Sequence, residues 1–130
     1  MRTFASAYAF GKAKEIIAKP LLEAFFGETL TEMSQYSTFD FLSPKHKYEV
    51  KSRTVSSMLY PSTMIASGKM CKDLICIFFF VDGLYYIEYN ADLFATFQTM
   101  FYREHRPDKK DVRKKYYLIP VKALKLICEV

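Results

Sequence analysis

Phe39-Asp40-Phe41-Leu42-Ser43-Pro44-Lys45-His46-Lys47-Tyr48-Glu49-Val50-Lys51-Ser52, residues 39–52, sets two β-forming runs on either side of a turn-like centre. Tyr36 to Leu42 is rich in aromatic and β-forming residues, Ser43 to His46 has turn chemistry, and Tyr48 to Ser52 alternates, so the stretch predicts a hairpin. Alternate residues of a strand share a face. Glu49 and Lys51 therefore project together and Val50 away from them, while Asp40 faces away from Phe39 and Phe41. A turn about Pro44-Lys45 places Asp40 directly opposite Glu49. Facing carboxylates repel unless a cation or a proton lies between them, and oxygen ligands of this kind suit Mg²⁺, with Mn²⁺ as a substitute. A metal held there can orient and acidify a water and neutralise charge on a phosphate. Lys51, on the same face, is placed to assist the water or the transition-state charge. The plainer alternative makes Glu49 and Lys51 a solvent-exposed cross-strand pair and Asp40 the end of a strand.

Upstream, Ile16, Ile17, Leu21, Leu22, Phe25 and Phe26 recur at helical spacing between Ser6 and Phe26, and Gly27 supplies a stop. Pro20 lacks an N–H and clashes with the preceding turn, which predicts a kink near Lys19 or two short helices. Downstream, Tyr60-Pro61-Ser62-Thr63 leads into a second expected helix, from about Thr63 to Lys72, with Ser62 or Thr63 as its N-cap. Leu74 to Val81 and Leu84 to Tyr89 flank Asp82-Gly83, a dipeptide suited to a type I′ hairpin turn. Asn90 can cap a helix from Ala91 to about Met100. Tyr116 to Val121 reads as a strand, followed by a short segment with Leu124 and Ile127 apolar. Helix, strands, helix, strands make the fold class α/β (α+β), with one mixed central sheet flanked by helices. Residues 1–130 are expected to form a single domain.

Half of the chain, 51%, is hydrophobic, which is the composition of a protein with a packed core. The formal net charge is +5 with a pI near 9.0, a balance that favours a polyanionic partner. Between Arg103 and Lys115 stand Arg103, Arg106, Lys109, Lys110, Arg113, Lys114 and Lys115 against Glu104, Asp108 and Asp111. This stretch carries most of the excess charge and is expected to be a phosphate-tracking loop. Cys71, Cys76 and Cys128 are odd in number and lack CxxC spacing, and the histidines are only His46 and His105. Neither a disulfide framework nor a zinc site is supported, and a reducing intracellular compartment, cytoplasm or nucleus, fits. The longest apolar run, Leu74 to Val81, is far below the roughly 20 residues of a membrane-spanning helix, so no membrane partner is expected. No secretory leader is expected at the N-terminus. The 12 Phe and 10 Tyr are expected to serve packing, in the core or between copies, ahead of base stacking.

Gly11-x-x-x-Glu15, Leu21-Leu22, Phe26-Gly27, Phe39-Asp40 and Tyr48-Glu49-Val50-Lys51-Ser52-Arg53 together resemble the PD-(D/E)XK nuclease superfamily, which includes restriction-endonuclease-like enzymes and Holliday-junction resolvases. Tyr60-Pro61-Ser62-Thr63-Met64-Ile65 and Lys69 are similar to the linker and second helix of small stand-alone members from phages and large DNA viruses. The resemblance covers about residues 11 to 90. It implies a restriction-endonuclease-like αβββαβ core and Mg²⁺-dependent hydrolysis of nucleic acid; action on DNA as an endonuclease is expected, with RNA and exonuclease action as the alternatives. By position it makes Asp40 and Glu49 metal ligands, the Val50 carbonyl a further ligand and Lys51 the catalytic lysine. It also makes Glu15, with Glu23 as its competitor, the first-helix acid of the metal shell. Lys69 corresponds to a second-helix group that approaches the scissile phosphate, its alternative being an exposed helix lysine, and Arg53 is a candidate phosphate contact. Phe39 stands where the motif has proline, a tolerable change because the chemistry belongs to the carboxylate. With no second recognition domain, recognition of nucleic-acid structure, or a homodimer, is expected over a long specific sequence. The rival expectations are a catalytically inactive nucleic-acid-binding module on the same scaffold, and an interaction protein using its aromatic surface.

Overall fold

The computed structural model describes residues 4–104 and 112–130. In chain order the elements are α1 (Phe4–Phe26), β1 (Thr31–Glu32), β2 (Phe41–Leu42), β3 (Lys47–Ser52), β4 (Ser62–Ala66) and β5 (Leu74–Phe80). They continue with β6 (Gly83–Glu88), α2 (Ala91–Phe94), β7 (Gln98–Glu104), β8 (Val112–Pro120) and β9 (Lys125–Glu129). A six-stranded mixed sheet has the order β1-β2-β3-β5-β6-β9, and a three-stranded sheet the order β4-β8-β7. The class is thus α+β with a mixed central sheet, as the sequence predicts. One face of that sheet is covered by the long helix α1. The other face is covered by the second sheet with α2, not by a further long helix.

α1 runs unbroken through Pro20, so the reading as two helices does not hold. Pro20 lies on the exposed side of the helix, and water can satisfy the carbonyl its missing N–H leaves open. The buried stripe is Ala18 and Leu22, with Leu21 and Phe26 packed beside it, whereas Ile16 and Ile17 face solvent. Gly27 terminates the helix at φ 66°, its N–H donating to the Glu23 carbonyl at 2.9 Å. Left-handed backbone favours glycine, so Gly27→Ala is expected to cost about 1 kcal/mol, read as a lowered denaturation midpoint.

β5 is buried along its whole length because it is central, parallel to β3 and antiparallel to β6. Its alternation feeds two cores. Ile75, Ile77 and Phe79 join Tyr48, Val50 and α1 on one face; Leu74, Cys76, Phe78 and Phe80 join Ile65, Phe94 and Ile119 on the other. Burying such side chains stabilises by about 1.5–3 kcal/mol each, which explains why this apolar run anchors the fold. The β5–β6 hairpin is present as expected, but Phe80 pairs with Gly83. Its two-residue turn is therefore Val81-Asp82, one residue earlier than predicted, and neither residue has positive φ, so the turn is not type I′. Asp82 instead accepts from Ser57 N at 2.8 Å and from Ser57 Oγ at 2.6 Å, tying the turn to the loop after β3.

Two expected helices are corrected. The stretch from Thr63 is strand β4 followed by a 3₁₀ turn at Ser67–Lys69, because period-two burial of Thr63 and Ile65 against β8 overrides the capping signal. The crossover between parallel strands β3 and β5 thus carries a strand of the second sheet where the αβββαβ pattern has a helix. Asn90 does cap a helix, its side chain accepting from Leu93 N, but that helix stops at Phe94 and β7 begins at Gln98. The described part of the basic stretch is strand, not loop: Arg103 lies in β7 and Arg113, Lys114 and Lys115 in the antiparallel β8. Arg106, Lys109 and Lys110 fall outside the described residues. Among the described residues, no helix is long and apolar enough to cross a membrane.

Candidate active site

The hairpin that carries the site has the predicted register, with Phe41 opposite Tyr48 and Leu42 opposite Lys47, which sets Asp40 across from Glu49. Ser43 makes the turn: its N–H donates to the His46 carbonyl at 2.9 Å and its hydroxyl accepts from His46 N at 2.9 Å. Asp40 precedes the short β2 and acts as an extension of the ladder. Its N–H donates to the Tyr48 carbonyl at 3.0 Å, its carbonyl accepts from Met33 N at 3.0 Å, and its Oδ2 accepts from Val50 N at 2.7 Å. The carboxylate that the sequence marks for chemistry therefore also fixes the backbone of Val50, between Glu49 and Lys51. The Val50 side chain is buried on the α1 side, as alternation requires.

Glu49 is 3% exposed, on the face away from α1. The alternative of a solvent-exposed pair with Lys51 does not hold for Glu49. Its Oε1 meets Lys51 Nζ at 2.9 Å and Lys69 Nζ at 3.1 Å, while its Oε2 is buried with no hydrogen-bond partner. A buried carboxylate oxygen without a partner is costly. Two lysines from different elements converge on the same carboxylate, Lys51 from β3 and Lys69 from the 3₁₀ turn after β4.

Glu15, in the middle of α1, completes the cluster. Burial pushes its carboxyl up to about 7; a hydrogen bond with Asp40 and the charge of Asp40 push it the same way, Lys12 partly opposes them, and Glu49 adds to the rise. A proton held between Glu15 and Asp40 is one of the two ways of quieting facing acids, the other being a cation. Glu23, the competing first-helix acid, points elsewhere: its Oε2 accepts from Leu30 N at 2.9 Å and holds the loop after α1. Lys12, which the sequence reading did not single out, pairs with Glu32 and lies 3.7 Å from Glu15; one helical turn before Glu15, it was legible from spacing alone.

The cluster joins two clefts. Glu15 and Asp40 line one of about 240 Å³, together with Tyr8, Lys12 and Met33. Lys51 and Lys69 line another of about 690 Å³, together with Arg53, Tyr60, Lys114 and Tyr116. Glu49 lies between them, bonded to the lysines of the larger cleft and felt by Glu15 of the smaller. Arg53 lines the cleft, but its guanidinium is engaged. It donates through Nε to Thr63 Oγ1 at 3.1 Å and through a terminal nitrogen to the Met64 carbonyl, and it lies over the Phe78 ring. Burial lowers its pKa. It bolts β3 to β4, so its expected role as a phosphate contact gives way to a structural one.

Of the basic stretch, Lys114 reaches the larger cleft. Arg113 is turned over the Phe101 ring and Lys115 over the Tyr117 ring. Arg103 stands opposite Arg113 in the ladder.

As they stand, no three His, Cys, Asp or Glu side chains among the described residues are gathered closely enough to enclose an ion. The donor set still fits a hard divalent cation. Glu15, Asp40 and Glu49 are all oxygen donors, Glu49 Oε2 lacks a partner, and the carboxyl of Glu15 is raised by burial and then by Asp40, through a hydrogen bond and its charge, a repulsion that a cation relieves. Compared with models of protein families, with curated proteins and with solved structures, the chain matches none of them.

Proposed function

We propose that this protein is a metal-dependent nuclease of the PD-(D/E)XK type, a DNA endonuclease that recognises nucleic-acid structure more than a long sequence. The observation that carries the reading is Glu49: a buried carboxylate with one unpartnered oxygen, two lysines on the other, and the Glu15–Asp40 pair beside it. The sheet order supports it, since β1-β2-β3 form an antiparallel meander and β3 runs parallel to β5.

Asp40 and Glu49, with the Val50 carbonyl, would hold Mg²⁺ or Mn²⁺, and Glu15 would support them from α1. A divalent ion there supplies an acidified water and neutralises charge on the scissile phosphate. Lys51 and Lys69 place two ammonium groups on the cleft side of Glu49, where they offset the charge that develops on a phosphodiester under attack. Lys114 adds a third lysine to the cleft wall, and phosphates bound there displace their counterions, so affinity falls with salt. Asp40 binds the Val50 N–H and holds the catalytic strand at fixed register. A homodimer would extend the basic surface.

The deciding assay is incubation of the purified protein with plasmid, branched and single-stranded DNA in Mg²⁺ or Mn²⁺, against EDTA. Cleavage with the ion and none in EDTA is expected; no cleavage of any substrate overturns the reading. The second reading, a non-catalytic nucleic-acid-binding module, is favoured by one observation: Lys51 and Lys69 already neutralise Glu49 without an ion. It predicts salt-sensitive binding and no cleavage.

A further inference from the structure

The larger cleft has more in its walls than phosphate binding requires. Its volume, about 690 Å³, is within the roughly 300–1,000 Å³ of small-molecule sites. Lys51, Lys69 and Lys114 line it together with Tyr60, Tyr116 and Val121, and none of the described lining residues is acidic. Tyr60 is 61% exposed, on the loop between β3 and β4. Tyr116, two residues from Lys114 on β8, meets the half-exposed Tyr102 edge-on, with ring centroids 6.3 Å apart. Arg53 is bonded into β4 and desolvated there, whereas Lys51 and Lys69 pair with Glu49 while remaining partly exposed, so phosphate contact is assigned to the lysines.

A paired duplex presents phosphates and base edges, and its base faces are already stacked on one another. Lysines alone would serve it. Tyrosine faces are of use to bases that have no neighbour to stack on, and every base has such a face.

We propose that this cleft receives an unpaired nucleotide, its base against Tyr60 and Tyr116 and its phosphates on Lys51, Lys69 and Lys114. The substrate is then a single strand, or a duplex with an unpaired end or flap beside the scissile bond. The inference rests on the nuclease reading for what the strand is brought there to do, but the binding itself needs no metal.

The test is fluorescence anisotropy in EDTA with the full chain, using an oligothymidylate, a flapped duplex and a blunt duplex of equal length. Tighter binding of the first two is expected. Tyr60→Leu is expected to weaken single-strand binding roughly ten-fold, leave the blunt duplex unchanged, and be rescued by Tyr60→Phe. A 2-aminopurine placed in the strand reports stacking directly by quenching, which a merely structural role for Tyr60 would not produce. Equal binding of single strand and blunt duplex, or a Tyr60→Leu variant that binds and quenches like wild type, overturns the proposal. Cleavage in Mg²⁺ is measured separately. A protein that quenches the strand through Tyr60 but cuts nothing sinks the nuclease reading and supports the pocket; one that cuts blunt duplex as fast as flaps sinks the pocket and keeps the nuclease.

Discussion

Asp40→Asn is expected to abolish Mg²⁺-dependent cleavage, lowering the rate roughly a thousand-fold or more, with the fold and metal-free DNA binding retained. The substitution separates the two roles that the structure gives this side chain. As a hydrogen-bond acceptor it receives Val50 N at 2.7 Å, and an amide oxygen can do the same, so the register of β3 with β2 should survive. As an anion it adds a negative charge beside Glu15 and helps hold that carboxyl's proton, and a neutral amide carries no such charge. An ion that needs anionic oxygens loses its best-placed ligand. DNA binding should hold or tighten, because a negative charge leaves the neighbourhood of the cleft lysines. Glu23→Gln serves as the matched control on the same helix: its amide can still accept from Leu30 N, and full activity is expected. Wild-type cleavage by Asp40→Asn would end the catalytic reading of this carboxylate.

In EDTA, the protein is expected to lose stability as pH rises from about 4.5 to about 7, the interval between Glu15's ordinary value and the value to which burial and Asp40 push it. Glu15 holds its proton more tightly folded than unfolded, so in this window the native state carries the extra proton. Its stabilising effect is complete at the acid end and is lost as the carboxyl ionises. The size is about 2 kcal/mol, smaller than full linkage would give because the side chain is partly solvated. Glu15→Gln should remove most of this slope, so the difference between the two denaturation curves against pH isolates the residue. Mg²⁺ added at pH 8 should return stability to wild type, since an ion bound only to the native carboxylates favours the folded state. A slope identical in Glu15→Gln would mean that the carboxyl is not where the structure places it.

The parts of the fold legible in the sequence are those governed by local alternation. Glu49, Val50 and Lys51 lie on the faces predicted, and the turn chemistry of Ser43 to His46 set the register of Asp40 against Glu49. The β5–β6 hairpin was visible as two apolar runs, although Asp82-Gly83 misplaced its turn by one residue, because Asp82 is held by Ser57 and not by a type I′ conformation. What escaped depended on distant partners. Ser62-Thr63 offers a plausible helix cap, and nothing local says that Ile65 will be buried beneath Ile119 and Phe94 or that β8 will pair along it. A second pairing, of β7 with β8, sets Arg103, Arg113, Lys114 and Lys115 in strands, and of these Lys114 lines the larger cleft. Arg53 alternates with Lys51 as predicted, yet its partners Thr63 and Met64 belong to β4, so its structural role could not be read. Tyr60 and Tyr116 come to line one cleft only in the folded chain.

The strand that replaces a helix in the β3-to-β5 crossover also bears on the order of assembly. A crossover helix can form from its own hydrogen bonds, whereas β4 has its ladder partner in β8, far along the chain. Contacts between such distant segments close late and slowly. Lys69 follows β4 directly and Arg53 is tethered to it, so the cationic side of Glu49 is completed only once β8 has docked. During synthesis the carboxylates and Lys51 would be in place before Lys69, and a ribosome-bound intermediate lacking β8 would carry Glu49 with one of its two lysines.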